Sequence, residues 1–167
     1  MELEPEPELE PKLSRDKAIK YFKLARSVAD LLSEDPSRKV GTVILCPRTL
    51  RILSVGYNGF PDGVDASIGD RWTKPMKYDF CVHAEINGVC NAARSGTALD
   101  GSIAVVTLHP CCGCCQAFIQ AGVKLVVTLA PDLDDPTWGQ QFRTSGAMMR
   151  EAGIRTMLLA PDDVVCA

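Results

Sequence analysis

No apolar run in this 167-residue chain approaches the ~20 residues needed to span a bilayer, so a membrane-spanning helix is not expected. The first residues are acidic and carry no apolar stretch, so a secretory signal is not expected either. Basic residues are not in excess. A net charge of −3 and a pI near 5.4 argue against the basic surface that polymeric nucleic acid needs, while leaving room for one small nucleotide held by local cations. No segment repeats at periods of ~20–50 residues. The chain ends Cys166-Ala167, which makes no prenylation box. Histidine is scarce, with His83 and His109 alone.

Cysteine, by contrast, is plentiful: eight residues, of which Cys111, Cys112, Cys114 and Cys115 fall within one short stretch. Thiols that crowded are better placed for a metal than for bridges, and without a secretory signal they are read as reduced thiols of a cytoplasmic protein. Residues 1–12 alternate glutamate with proline or leucine, and such a segment cannot bury enough apolar surface to order itself. It is read as a disordered acidic tail, with one globular domain over 13–167. Within the domain, Ser14 is positioned to cap a helix whose apolar stripe is Ala18, Phe22, Ala25, Ala29 and Leu32. Runs at Val40–Cys46 and Arg51–Tyr57, joined by a short turn, predict an antiparallel hairpin. Helices are predicted at His83–Ser95, Cys111–Ala121 and from Asp135 to Gly153, alternating with strands at Ser102–Leu108, Leu125–Leu129 and Ile154–Leu159. The order gives an α/β fold, a three-layer α/β/α sandwich on a five-stranded mixed sheet.

The chemistry concentrates in His83-Ala84-Glu85 and Pro110-Cys111-Cys112-Gly113-Cys114. An imidazole and two thiols on a C-x-x-C spacing suit a zinc ion whose fourth position stays open for water, and a carboxylate beside the histidine can carry protons without ligating the metal. Along the side of a helix, His83 and Glu85 would diverge by about 200°. Only at the tip of a helix can both face one pocket, so each half of the site is predicted at a helix N-terminus, where the dipole also favours the carboxylate. Cys112 and Cys115 share the spacing of Cys111 and Cys114 but are rotated from them by about 100°, so the two pairs cannot both meet one ion. Between the hairpin and His83 lies a long segment, too long to be idle in a compact domain and too rich in glycine and proline for regular structure. Its Arg71, Trp72, Lys74, Lys77 and Tyr78 suit a base and a phosphate; the alternative is a solvated loop with Trp72 and Tyr78 as packing anchors.

The spacing H-x-E followed by P-C-x-x-C resembles the signature of zinc-dependent base deaminases. Pro110 directly precedes Cys111, which favours Cys111 and Cys114 as ligands and leaves Cys112 and Cys115 as small buried residues. Together with Gly56-Tyr57-Asn58-Gly59-Phe60-Pro61 and the Arg71 to Tyr78 segment, it makes residues 14–159 resemble the cytidine/deoxycytidylate deaminase superfamily, most of all the bacterial and phage deoxycytidylate (dCMP) deaminases. The resemblance implies hydrolytic deamination of dCMP to dUMP, with one catalytic zinc on His83, Cys111 and Cys114 and Glu85 as the proton carrier. It also implies substrate contacts from Asn58, Ala84, Arg71, Trp72, Lys77 and Tyr78, and a homo-oligomer, often a hexamer in this family. Alternatives are a zinc deaminase of another cytosine nucleotide, a free nucleoside, a riboflavin-type pyrimidine or a tRNA base, and a closed structural zinc or redox module. In the last of these Glu85 has no role.

Overall fold

A computed structural model describes residues 13–164; the acidic tail and Cys166 lie outside the described residues. The sheet has five strands in the order β2-β1-β3-β4-β5. They are β1 (Gly41–Leu45), β2 (Ile52–Tyr57), β3 (Ile103–Val106), β4 (Leu125–Leu129) and β5 (Arg155–Leu159). The hairpin pairs antiparallel, with Val43 opposite Val55, and β1 also runs antiparallel to β3, with Val43 opposite Val105. From β3 onward the pairing is parallel. The central strands are valine and isoleucine runs because both of their faces are covered.

One face is covered by α1 (Arg15–Leu32), the other by α3 (Ala84–Arg94), α4 (Cys112–Gln120) and α5 (Gly139–Glu151). Ser14 caps α1 by accepting from the Lys17 N–H. Ala18, Phe22, Ala25 and Ala29 are buried as the stripe predicts, but Leu32, the last residue of the helix, is 47% exposed.

Two features depart from the sequence reading. The segment after the hairpin is not wholly irregular: it holds a 3₁₀ turn at Gly69–Trp72 and the short helix α2 (Lys77–Phe80), and a one-turn α6 (Pro161–Val164) follows β5. The fifth helix begins at Gly139 and not at Asp135, since the Asp135 carboxylate folds back to accept from the Thr137 and Trp138 N–H groups and makes a turn. As the sequence order implies, α4 follows β3, whereas α3 is fed by the long loop, which is anchored just ahead of it by a bridge between Gly59 and Val82.

The seat of α3 on β2 is unusually close. A methyl group at Gly56 would lie 2.2 Å from the Ala84 carbonyl oxygen and 2.4 Å from the Gly88 nitrogen, both backbone atoms that cannot swing aside. Glycine in a strand marks such an approach. Gly56→Ala is expected to cost about 1–3 kcal/mol or more, lowering Tm by several degrees and displacing the helix tip at His83. Thermal unfolding together with zinc analysis checks this, and an unchanged Tm would sink it.

Candidate active site

The tips of α3 and α4 meet at the C-terminal end of β3. His83 is the N-cap residue of α3 and Cys111 that of α4, both in extended conformation, so each side chain projects beyond its helix. The His83 Nδ1 lies 3.3 Å from the Cys114 Sγ and 3.4 Å from the Cys111 Sγ. All three candidate ligand atoms fall within 4.8 Å of one another. A tetrahedral zinc with Zn–N of ~2.05 Å and Zn–S of ~2.3 Å sets nitrogen and sulfur about 3.6 Å apart, so the donor set and its spacing fit that ion.

The electrostatics agree. A hydrogen bond from Cys114 brings the Cys111 thiol down to about 4, while giving that bond pushes Cys114 up, so the pair readily holds one thiolate. The hydrogen bond with Cys111 raises His83. Glu85, one residue into α3, is 4% exposed, and burial pushes its carboxyl up to about 7. That value lies close to neutral pH, where a group that both takes and gives protons works best.

Cys112 and Cys115 face elsewhere. The Cys112 Sγ lies 3.5 Å from the Gln141 carbonyl and the Cys115 Sγ 3.5 Å from the Ser145 carbonyl, so together they line the seam between α4 and α5. The 100° rotation between the two pairs separates a metal face from a packing face.

A cavity of about 260 Å³ opens beside the cluster, close to the lower end of small-molecule sites (~300 Å³). Its walls include Asn58, Lys77, Tyr78, Ala84, Glu85 and Trp138. Asn58 is there as a structural knot. Its Oδ1 accepts from the Val40 N–H (2.7 Å) and the Ser33 hydroxyl (2.8 Å), and its Nδ2 donates to Asp35 (2.8 Å) and to the Arg38 carbonyl (2.9 Å). Its side chain therefore supports the wall while already fully hydrogen-bonded. Lys77 is buried, and its ammonium lies 2.6 Å and 2.8 Å from the two Asp35 oxygens and 2.5 Å from the Ser37 hydroxyl. Burial pushes Asp35 up, but the hydrogen bonds from Lys77 and from the Ser37 and Arg38 backbone outweigh it and hold the carboxyl below its ordinary value. The charge of Lys77 is thus balanced within the protein.

Arg71 and Trp72 do not line the cavity. Trp72 stacks on Phe60 with centroids 4.0 Å apart and donates its indole N–H to the Ala66 carbonyl. The Arg71 guanidinium sits 4.7 Å over Phe80. These aromatic residues form a small core of their own, which fixes the loop; in sequence, aromatics that fold a loop look the same as aromatics that bind a base.

The cations that do line the cavity without an ion-pair partner among the described residues are Arg38 and Lys74. Sequence reasoning passed over Arg38, which stands alone between the first helix and the first strand, and Trp138, which looked like one more helix residue. His109 lines the cavity too, 6% exposed with both ring nitrogens unpartnered among the described residues, and burial lowers it to about 4.

Residues 15–130 match the sequence family described as the cytidine and deoxycytidylate deaminase zinc-binding region. The chain is 36% identical over 146 residues to the uncharacterized deaminase in the luxG 3′ region of Aliivibrio fischeri, covering 87% of this chain and 95% of that protein. It is 30% identical over 141 residues to the deoxycytidylate deaminase of Homo sapiens, covering 78% and 77% of the two chains. Among solved structures, the dCMP deaminase of the cyanophage S-TIM5 in complex with dCMP and dUMP superposes with a TM-score of 0.68 at 26% identity, over 88% of this chain and 99% of that one.

Proposed function

The chain belongs to the cytidine and deoxycytidylate deaminase family, and from that premise we propose that it is a zinc-dependent hydrolase converting dCMP and water to dUMP and ammonia. The observation that carries this reading is the convergence of His83, Cys111 and Cys114 with the buried Glu85 on the wall of one cavity. His83, Cys111 and Cys114 would hold the zinc, which when bound supplies a Lewis acid that brings water within reach of ionisation near neutral pH. Glu85 takes the proton of the attacking water and delivers it to N3 of the pyrimidine. The water oxygen bonds to C4; Glu85 then takes the proton of that new hydroxyl and gives it to the C4 amino group, and the C4–N bond breaks to release ammonia as the C4 carbonyl forms. Its seat at a helix N-terminus favours the charged carboxylate, while burial favours the neutral acid, so neither state is far from the other. Ala84, fully buried between the two, brings backbone and no bulk to the cavity wall.

A phosphorylated substrate is favoured over a free nucleoside by Arg38 and Lys74 at the cavity, since among the described residues these exposed cations make no salt bridge whereas Lys77 makes one. The same reading includes an oligomer of this chain, which rests on the family resemblance, and a cytoplasmic location, which rests on the crowded thiols and the acidic first residues. Among the described residues no helix is long and apolar enough to cross a membrane.

Ammonia release across cytidine, deoxycytidine, CMP, dCMP, dCTP and 5-substituted dCMP tests the reading, with dCMP expected to have the highest kcat/KM. Replacing both Arg38 and Lys74 by alanine should raise KM for dCMP by about 10- to 100-fold, the worth of a charge-assisted contact, and leave deoxycytidine unaffected. Equal or better turnover of deoxycytidine by the unaltered protein would overturn the choice of a nucleotide.

A further inference from the structure

The two tryptophans differ in one respect that their sequence does not reveal. Trp72 has its indole N–H bonded to the Ala66 carbonyl at 2.9 Å. Trp138 lines the cavity, and among the described residues its indole N–H makes no hydrogen bond. The half-buried Trp138 therefore brings to the cavity wall an indole whose N–H is uncommitted among the described residues.

The position of Trp138 is fixed from both sides. The Asp135 Oδ1 accepts from the Thr137 and Trp138 N–H groups at 2.8 and 2.9 Å. On the other side, Gly139 comes so close to the Leu133 carbonyl that a methyl group there would lie 2.2 Å from the oxygen. The ring stands edge-on to His83, with centroids 5.9 Å apart at 69°, and edge-on to Tyr78, at 6.0 Å and 80°. A pyrimidine whose C4 reaches the His83, Cys111 and Cys114 cluster lies beside His83, whose ring is 5.9 Å from that of Trp138, within the ~4.5–7 Å at which aromatic rings interact. The residue also lies beyond the 15–130 family match, on a stretch that the shared zinc chemistry does not account for.

We propose that Trp138 is a specificity-determining contact of the active site: its ring packs against the substrate's pyrimidine, and its indole N–H donates to a substrate oxygen. This rests on the reading of the cavity as a pyrimidine deaminase site. Tyr78 closes the outer edge of the same aromatic wall.

The test uses the zinc-loaded full chain and dUMP, the product, as a ligand that undergoes no turnover. Trp72→Phe leaves Trp138 as the sole tryptophan, and its emission should change saturably with dUMP at the Kd measured by calorimetry. Trp138→Ala should keep zinc and lose about 10- to 100-fold in kcat/KM for dCMP, the range for losing a base-stacking ring. Trp138→Phe should regain the ring's share and not the donor's. A shortfall confined to dCMP assigns the acceptor to the phosphate, and one shared with deoxycytidine assigns it to the nucleoside. The proposal is overturned if dUMP binds without altering Trp138 emission, or if Trp138→Ala turns over dCMP with unchanged kcat and KM. Failure of the unaltered protein to bind or deaminate any pyrimidine overturns the functional reading and this contact together, so the two failures are told apart.

Discussion

Glu85→Gln retains its zinc and deaminates dCMP at least ~10²-fold more slowly than the unaltered protein, the lower end of what a positioned acid/base group contributes, and a group serving every proton transfer can exceed ~10⁴. Glutamine has the shape of the buried acid and no proton to exchange, so the fold is preserved while the transfer is lost. Two features of the structure make the expected effect large. Glu85 is 4% exposed, so bulk water cannot easily substitute for it. Burial also holds its carboxyl near 7, where it can both accept and return a proton within one turnover. Turnover within a few-fold of the unaltered protein, with zinc measured in the same sample, would remove Glu85 from the mechanism.

Cys111→Ser loses zinc and all measurable activity, whereas Cys112→Ser keeps both. The first change removes a thiol whose sulfur faces the His83 Nδ1 at 3.4 Å; the second removes one that faces the Gln141 carbonyl across a helix seam. Even partners outside the ligand shell alter metal affinity by ~10–100-fold, so loss of one of three protein ligands should exceed that. Zinc bound only by the folded chain also stabilises it, so Cys111→Ser should unfold at a lower temperature and Cys112→Ser should not. Metal analysis and thermal unfolding of the two proteins side by side decide the matter, and zinc loss from Cys112→Ser alone would falsify the assignment.

Much of this architecture is legible in the chain because it depends on local pattern. Valine and isoleucine runs specify strands whatever surrounds them, and the stripe of Ala18, Phe22, Ala25 and Ala29 specifies a helix with one buried face. The pairing of H-x-E with P-C-x-x-C points to a metal because helix geometry lets such residues converge only at two helix tips, and that is where the structure has them.

The loop between the hairpin and the third helix was not legible, for a physical reason. Arg71, Trp72, Lys77 and Tyr78 are types that bind a nucleotide and also types that hold a loop together. Which they do depends on the neighbours that arrive from elsewhere in the chain. Phe60 and Phe80 draw Trp72 and Arg71 into a packed cluster, Asp35 and Ser37 neutralise Lys77 from a loop far off in sequence, and only Tyr78 remains at the cavity wall with an exposed ring. Asn58 is likewise held by groups between Ser33 and Val40.

Thus the sequence alone determined the layers, the order of helices and strands, and the metal chemistry, since each follows from periodicity or from residues close in the chain. Tertiary structure alone decided which side chains face the cavity. Hydrogen-bond capacity and cavity surface are shared among distant segments, so Arg38 and Lys74, without a salt bridge, and Trp138, without an indole hydrogen bond among the described residues, became visible only once Asp35, Ser37 and Ala66 had taken Lys77 and Trp72.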